Sequence, residues 1–299
     1  MRVLVTGGSG FLGTWVAKRL LERGMDVRAF DVRNDDRLMR AVVPAHADRV
    51  DWRTGDIADT ATVRDAMRGC EAVIHLAGVL TQTCMQNPIL GAQINLIGTL
   101  NIFEAARAEG LRSVLYAGSA GIFGPGSGAT PSPETHYGTF KLACEGSARA
   151  YWNDHGIASF GLRPLVIYGA GRESGASAGP SVACKAAAHG EAYTIPFTGS
   201  TGLIYVDDVA ATYEAALLHA FEGAHAFTLA GEIMSVQTVI DRIVSIVPDA
   251  RLDAAGAPLP IATAFPHDDR LSTLLPNLPH TSLDDGLSQT VAFYRAQAR

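Results

Sequence analysis

Three residues carry the chemistry open to this chain: Ser119, Tyr137 and Lys141. Tyr137 and Lys141 stand four apart where a helical pattern opens, Thr135-His136-Tyr137-Gly138-Thr139-Phe140-Lys141, and so share one helix face. A phenol is a poor base near neutrality, with an ordinary pKa of about 10. An ammonium beside it favours the phenolate, which can then take a proton from an alcohol. Ser119 follows the apolar run Val114-Leu115-Tyr116-Ala117 and can hold the same oxygen from the other side. Alone, Tyr-x-x-x-Lys is a common accident, and a solvated tyrosine beside a surface lysine has the same spacing. The pair gains meaning from the elements that position it.

The first of these elements is a strand, a glycine turn and a helix. Val3 to Val5 form a short apolar run, Gly7-Gly8-Ser9-Gly10-Phe11-Leu12-Gly13 follows, and Trp15, Val16, Leu20 and Leu21 then repeat at helical spacing. The motif counts as Gly8-x-Gly10-x-x-Gly13 or as Gly7-x-x-Gly10-x-x-Gly13, and an ordinary glycine turn fits the same residues. In this context it suits a dinucleotide. Glycines let a ligand approach the backbone, and the N–H groups at Phe11, Leu12 and Gly13 open a helix whose positive end favours a pyrophosphate. Asp31 ends a second apolar run, Val27 to Phe30, at about the ~20-residue distance where a carboxylate meets the adenosine ribose. It would accept from the 2′-hydroxyl of NAD and repel the 2′-phosphate of NADP. Arg33 is placed to grip such a phosphate, so NAD is favoured over NADP without excluding it. A nicotinamide cation would also favour the Tyr137 phenolate.

Strand and helix patterns alternate through the first half, with strands expected at 2–6, 26–31, 49–53, 71–76 and 112–118 and helices at 11–23, 60–68 and 92–109. That alternation predicts an α/β fold, a Rossmann-type doubly wound parallel sheet whose post-strand loops converge on one edge. At that edge Asp56 and Ile57 can read adenine, although an Asp opening the next helix looks the same. Leu76, Ala77 and Gly78 bring small backbone near the phosphates and second ribose, and His75 reads as a satisfied core histidine. Asn95 and Asn101 lie on the amphipathic helix, where polar residues commonly face solvent; Asn95 can instead bond to a neighbouring helix, a structural role.

The chain has 299 residues, 47% hydrophobic and 18% charged, enough for one large α/β unit with a smaller lobe. Its net charge of −6, with scattered Lys and Arg, argues against a nucleic-acid partner. Cys70, Cys84, Cys144 and Cys184 have no metal-ligand or C-x-x-C spacing and read as buried free thiols; no metal site is expected. The N-terminus enters a strand without a signal-peptide pattern, and no apolar run reaches the ~18 residues of a membrane span, so a soluble, cytoplasmic protein with no membrane partner is expected.

Taken in order, these motifs resemble the extended short-chain dehydrogenase/reductase superfamily, in its NAD-dependent epimerase/dehydratase group. The resemblance rests on the Gly7/Gly10/Gly13 turn, Asp31, Gly55-Asp56-Ile57, His75-Leu76-Ala77-Gly78, Ser119, Tyr137 with Lys141, Arg163-Pro164 with Tyr168-Gly169, and Tyr205-Val206-Asp207-Asp208-Val209-Ala210. It implies that Tyr137 is the acid/base, that Lys141 tunes it and binds the nicotinamide ribose, and that Ser119 orients the substrate oxygen while hydride passes between a carbinol and nicotinamide. It also implies that the strand holding Pro164 and Val166 presents backbone to the carboxamide. Arg163 and the 205–210 segment look structural, joining the cofactor domain to the smaller lobe.

The departures narrow the chemistry. Where 4,6-dehydratases of the group carry Asp-Glu, this chain has Ala120-Gly121, so that dehydration is not expected. The approach to Tyr205, Thr198-Gly199-Ser200-Thr201-Gly202-Leu203-Ile204, lacks the Arg that commonly meets a substrate diphosphate, and a small sugar, sugar acid or hydroxy acid becomes more attractive. Arg172, Lys185 and Arg270 are the cations that could replace it from another loop. Thr81, Gln82, His136 and Arg172 are the candidate substrate contacts, each equally compatible with a plain surface role. Domain limits are expected at 1–168, with 203–222 returning to it, against a lobe of 169–202 and 223–299. Gly124 to Pro133 reads as a glycine- and proline-rich loop, 169–179 and 258–279 read as substrate-covering loops, and Ser282 opens a capped terminal helix.

The resulting expectation is an NAD-dependent oxidoreductase acting on a small-molecule alcohol. An epimerase that retains its NAD uses the same residues, and a dinucleotide-sensing regulator without chemistry is the alternative of another class. The resemblance further implies a homodimer formed by the helices at 92–109 and 136–153, where Ala143, Gly146 and Ala150 permit close approach.

Overall fold

Short apolar strands ended by glycines, each followed by a helix with one buried face, set the first half of the chain. The computed structural model describes residues 1–124, 130–259 and 269–298, so residues 125–129 and 260–268 of the two expected long loops lie outside the described residues. In order come β1 (Arg2–Thr6), α1 (Phe11–Glu22), β2 (Asp26–Asp31), α2 (Arg37–Val42), β3 (Asp51–Thr54), α3 (Thr60–Met67) and β4 (Ala72–His75). Then follow α4 (Thr81–Gln86), α5 (Pro88–Ala92), a π turn (Gln93–Ile97), α6 (Gly98–Ala108), β5 (Ser113–Ala117), α7 (His136–His155) and β6 (Ala158–Pro164).

The second half adds β7 (Val166–Tyr168), α8 (Gly179–His189), β8 (Ala192–Ile195), β9 (Ser200–Tyr205), α9 (Val206–Leu218) and β10 (Ala224–Leu229). It closes with β11 (Glu232–Ser235), α10 (Val236–Ile246), β12 (Arg251–Ala254), α11 (Arg270–Leu274) and α12 (Leu283–Gln297). Ser282 caps α12 by accepting from Asp285 N at 3.2 Å, as its sequence predicted.

Seven strands form one sheet in the order β10-β6-β5-β4-β1-β2-β3, and every pairing in it is parallel. The chain winds outward from β1 to β3, returns, and winds the other way from β4. The crevice between β1 and β4 is therefore the switch point where such sheets bind ligands. Alternation along β1 shows why both faces are covered. Val3 and Val5 enter the core under α1 and α9, while Leu4 enters the second core, under α3 and α6.

Several expected boundaries move. The strand β10 completes the central sheet, although the chain from 223 onward was expected in the lobe, and β7 pairs instead with β9 in a three-stranded sheet. The short helices α2 and α4 were not foreseen, and the helix expected from 92 already begins at Pro88. Asn101, expected to face solvent, is buried: it donates to Ile57 O at 3.0 Å and accepts from Thr60 Oγ1 at 2.8 Å, pinning the loop after β3.

By length and composition the continuous helix Pro88–Ala108 is apolar enough to span a bilayer, but half of it is buried inside the fold. The 205–210 segment joins the parts as expected. Asp207 takes two bonds from Arg19 of α1, at 2.9 and 2.6 Å, and Asp208 accepts from Thr281 N and Oγ1 at 2.7 and 2.8 Å. All four cysteines are free and buried.

His75 is the satisfied core histidine the sequence suggested. Its Nδ1 lies 2.7 Å from Thr6 Oγ1 and its Nε2 3.1 Å from Thr99 Oγ1, which ties β4 to β1 and to α6. Burial, helped by the Lys141 charge, holds its pKa down at about 3 from the ordinary 6.5. The unfolded chain thus binds the proton first, so this contribution to stability is full above about pH 6.5 and is lost as pH falls toward 3. Urea midpoints measured across that window should fall with acidification, and His75→Gln should flatten part of the fall.

Candidate active site

Backbone packed on backbone builds the phosphate end of the site. Gly7 has φ +70°, and a Cβ there would stand 2.9 Å from Ala77 N. A Cβ on Gly13 would lie 2.1 Å from Gly7 O and 3.0 Å from Gly8 Cα, so the helix start seats directly on the turn. Gly10 is the N-cap of α1 and has no side-chain cap, which leaves the first-turn N–H groups at Phe11, Leu12 and Gly13 for an anion.

Asp31 stands beside this turn, where its carboxylate accepts from Ser9 N at 3.0 Å and from Val32 N at 2.8 Å. Arg33 extends its side chain into solvent while its carbonyl takes the Ser9 hydroxyl at 2.9 Å. Asp56 closes a tight turn onto Ala58 N at 2.9 Å, and the helix cap that could have explained it falls to Asp59. Leu76 N and Ala77 N each donate to Thr6 Oγ1 at 3.1 Å.

Ser119, Tyr137 and Lys141 come together through glycines outside the motifs. A Cβ on Gly138 would lie 2.1 Å from Gly121 O, so the start of α7 rests on the turn after Ser119. A Cβ on Gly121 would stand 3.1 Å from Ser119 Oγ and 3.6 Å from Tyr137 Cδ1, so these two side chains meet over Gly121. Ser119 Oγ accepts from Gly121 N at 3.0 Å. The buried Lys141 donates to Ala117 O at 2.8 Å, and its Nζ lies 5.8 Å from the centre of the Tyr137 ring. Tyr137 itself is half-buried.

Asn95 belongs to this assembly, and helical spacing gave no sign of it beyond an Asn on an apolar helix. Placed in the π turn and buried, it donates to Val79 O at 3.0 Å and accepts from Val79 N at 3.2 Å. Gly78 passes between Asn95 and Lys141: its Cβ would lie 2.6 Å from Asn95 Oδ1 and 3.7 Å from Lys141 Nζ.

The candidate substrate residues separate. Arg172 enters the cleft, with Nη1 on Ile167 O and Nη2 on Ser177 Oγ, both at 2.8 Å, and its Cζ 6.0 Å from the Phe11 ring. Its Nε is buried without a partner. Burial pushes its pKa down to about 10, with the Tyr137 charge opposing the fall. Lys185 is committed to Glu173 at 2.7 Å, and Arg270 lies 5.6 Å over Phe227. Thr81 and Gln82 are exposed on α4, and His136 is exposed and stacked 6.1 Å from Phe140. Pro164 ends β6, and Val166 begins β7, nearly fully buried. No cluster with metal-binding composition occurs among the described residues.

A glycine cradle that no Cβ could enter, an uncapped helix start and an acidic residue at the next strand end all fit a dinucleotide. Together with a tyrosine, a lysine and a serine at the neighbouring strand end, they define a dinucleotide-dependent oxidoreductase. The chain belongs to the NAD-dependent epimerase/dehydratase family, whose model matches residues 3–230, and it is an NAD-dependent enzyme.

Among its relatives, a UDP-glucose 4-epimerase of Mycolicibacterium smegmatis is 28% identical over 324 aligned residues, covering 100% of both chains. A uronate dehydrogenase of Pseudomonas putida is 30% identical over 169 residues, 54% of this chain and 59% of the relative. The structure of Thermus thermophilus UDP-glucose 4-epimerase, solved with NAD, superposes with a TM-score of 0.83 at 25% identity and 99% coverage of each chain.

Gly13→Ala tests the cradle. The added methyl meets a carbonyl on rigid backbone, so NAD affinity measured by calorimetry should fall at least about tenfold while the protein remains folded.

Proposed function

We propose that this enzyme oxidises a secondary alcohol on a small anionic substrate, a sugar acid or hydroxy acid, and releases reduced NAD at each turnover. The observation that carries the reading is Arg172, a cation set 6.0 Å from the Phe11 ring at the start of α1, in a chain with no Arg on the approach to Tyr205. Arg172 keeps one buried N–H without a partner, and a carboxylate would satisfy it. Thr81, Gln82 and His136 complete the substrate side.

The glycine turn and the first-turn N–H groups of Phe11, Leu12 and Gly13 hold the diphosphate. Asp31 takes the adenosine ribose with Arg33 beside it, and Asp56 with Ile57 takes adenine. Leu76, Ala77 and Gly78 line the second ribose, and Pro164 with Val166 offers backbone to the carboxamide. NAD supplies the carbon that accepts hydride. Tyr137, as phenolate, takes the hydroxyl proton; Lys141 stabilises that phenolate and binds ribose; Ser119 holds the reacting oxygen in line.

A second reading, epimerisation of a nucleotide sugar with NAD retained, is favoured by the end-to-end match to a UDP-glucose 4-epimerase. The cofactor domain in our assignment takes residues 1–168 with 203–229 returning to it, and the remainder forms the substrate lobe. Four free thiols and NAD chemistry suit the cytoplasm.

The helix Pro88–Ala108 also presents apolar side chains outward, with Ile89 71% and Ile97 43% exposed, and Ala143, Gly146 and Ala150 lie on α7. An apolar face on a helix already half inside the fold supports a homodimer built from these helices.

Incubation with NAD and a panel of uronates, aldonates, neutral sugars and UDP-sugars decides between the readings. Continuing NAD reduction on the acids is expected, whereas interconversion of a UDP-sugar without net reduction would replace this reading by the second. Tyr137→Phe should cost about 100- to 10,000-fold in kcat with NAD affinity kept. Arg172→Leu should raise KM for the acids by roughly 10- to 100-fold. Sedimentation should show a dimer that Ile97→Glu converts to monomer; a wild-type monomer at working concentration removes the dimer.

A further inference from the structure

Glu145 is a buried carboxylate one helical turn beyond Lys141, a spacing at which acid and base on one helix normally pair. It does not take Lys141. Arg163 of β6 grips it with both arms, Nε to Oε1 at 2.7 Å and Nη2 to Oε2 at 2.5 Å, with 2% of the Glu145 and 14% of the Arg163 side chain exposed. The sequence suggested that Arg163 joins the cofactor domain to the lobe; instead it ties the central sheet to the helix that carries Tyr137. Its Cγ would lie 3.3 Å from a Cβ on Gly118, next to Ser119, and its guanidinium lies 5.6 Å over Phe123. One side chain therefore abuts the serine turn and holds the tyrosine helix.

We propose that Arg163 and Glu145 are positioning residues for proton transfer: the guanidinium fork keeps the Glu145 carboxylate off Lys141, so that the Lys141 ammonium stays with Ala117 O and beside Tyr137. This deepens the reading of Tyr137 as the acid/base and rests on it.

The surrounding groups support the assignment. Lys141 acts on His75 of β4, Cys84 of α4 and Cys144 beside it on α7. The Tyr137 charge acts on Arg172 and on Tyr213 of α9. Glu145 faces Tyr116 of β5, with Arg149 one turn further on and Arg163 opposite. Of these groups only Glu145 is a carboxylate, and the Cys144 thiol, between the two, feels both charges: Lys141 draws its pKa down and Glu145 pushes it up. With Arg163 gone, the stranded carboxylate has two cations one turn away on the same helix, Lys141 and Arg149, and of these Lys141 is the one buried with it. A buried charge left unpaired is strongly driven to find one.

The test needs no substrate, because the phenol itself can be watched. The chain has eight tyrosines, and burial raises the pKa of each of the other seven: Tyr116, Tyr151, Tyr168, Tyr193, Tyr205, Tyr213 and Tyr294. The ultraviolet difference spectrum of tyrosinate, corrected by Tyr137→Phe, therefore isolates Tyr137 in the NAD-loaded protein.

Arg163→Gln should raise the pH at which this phenolate forms by about one unit, ~tenfold less phenolate at a given pH. Glu145→Gln combined with Arg163→Gln should return it to the wild-type position, since no carboxylate then competes. A folded Arg163→Gln that titrates like wild type, or a double variant that titrates like Arg163→Gln, overturns the proposal. Should Arg163→Gln fail to fold, Glu145→Gln carries the test: its phenol should ionise at or below the wild-type pH, and a rise would sink the idea. Failure of the substrate assay would leave these titrations untouched, so the two inferences fail separately.

Discussion

The site depends on main chain meeting main chain at points where no side chain fits. Gly13 sits on the Gly7 carbonyl, Gly7 against the loop after β4, and Gly138 on the Gly121 carbonyl. Each contact joins the end of one central strand to a neighbouring helix or loop. Together they fix how far the uncapped start of α1 lies from the start of α7. A methyl at any of them would force backbone apart, because a carbonyl inside a packed turn has nowhere to go. The precision of the cleft is thus set by backbone sterics, and side chains are hung on that frame.

Electrostatics then does the second half of the work, and burial decides which charges are free to act. Glu145, Asp207 and Asp208 are each occupied by a partner that belongs to the architecture: Arg163, Arg19 and Thr281. Buried ion pairs add little net stability, but losing one partner is costly, so they hold geometry. Lys141 is spent differently, on a single carbonyl at the end of β5, with its charge turned toward a phenol and a polarisable crevice. Arg172 is likewise held by two acceptors with a third N–H left over. The cations near the reacting centre keep unspent capacity, while the acids of the frame do not.

Much of this was legible in the residues. The strand, glycine turn and helix at 2–22, the acid at 31, and the Tyr137–Lys141 spacing all follow local rules, and they survive folding with boundaries shifted by a few residues. What could not be read depends on distant packing. Asn95 and Asn101 carry the same polar signal as surface residues, yet both are buried because loops from other strands present carbonyls to them. The π turn around Asn95 leaves no mark in the hydrophobic spacing. Gly121 and Gly138 carry no motif of their own until the turn after β5 meets the start of α7. Arg163 was misassigned for the same reason: its partner is 18 residues away on a different element, and nothing local names it. The strand at 224–229 reads like any lobe strand, and only the open edge of β6 explains its place.

Cofactor side and substrate side are not independent in this fold, because one loop serves both. Past Tyr168 the chain gives its Ala170 carbonyl to Trp15 of α1 at 3.0 Å, presses Gly171 against Leu38 of α2, sends Arg172 toward Phe11, and brings Gly175 against Leu80 before α4. It thus crosses the crevice from the adenosine side to the substrate side. Gly169, Gly171 and Gly175 all have φ in the left-handed region, which lets so short a segment make these turns. A dinucleotide seated in the turn would order the same residues that place Arg172, so this cation is best positioned once the cofactor is in place. That order of events suits either net oxidation or epimerisation. Side-chain bonds hold the crossing loop along its length: Trp15 Nε1 to Ala170 O at 3.0 Å, Gly169 N to Ser181 Oγ at 3.0 Å, Gly171 N to the Tyr294 hydroxyl at 2.9 Å and Lys185 Nζ to Glu173 at 2.7 Å. The loop that carries Arg172 is thus anchored to α1, α8 and α12 at once, and its course is set by all three.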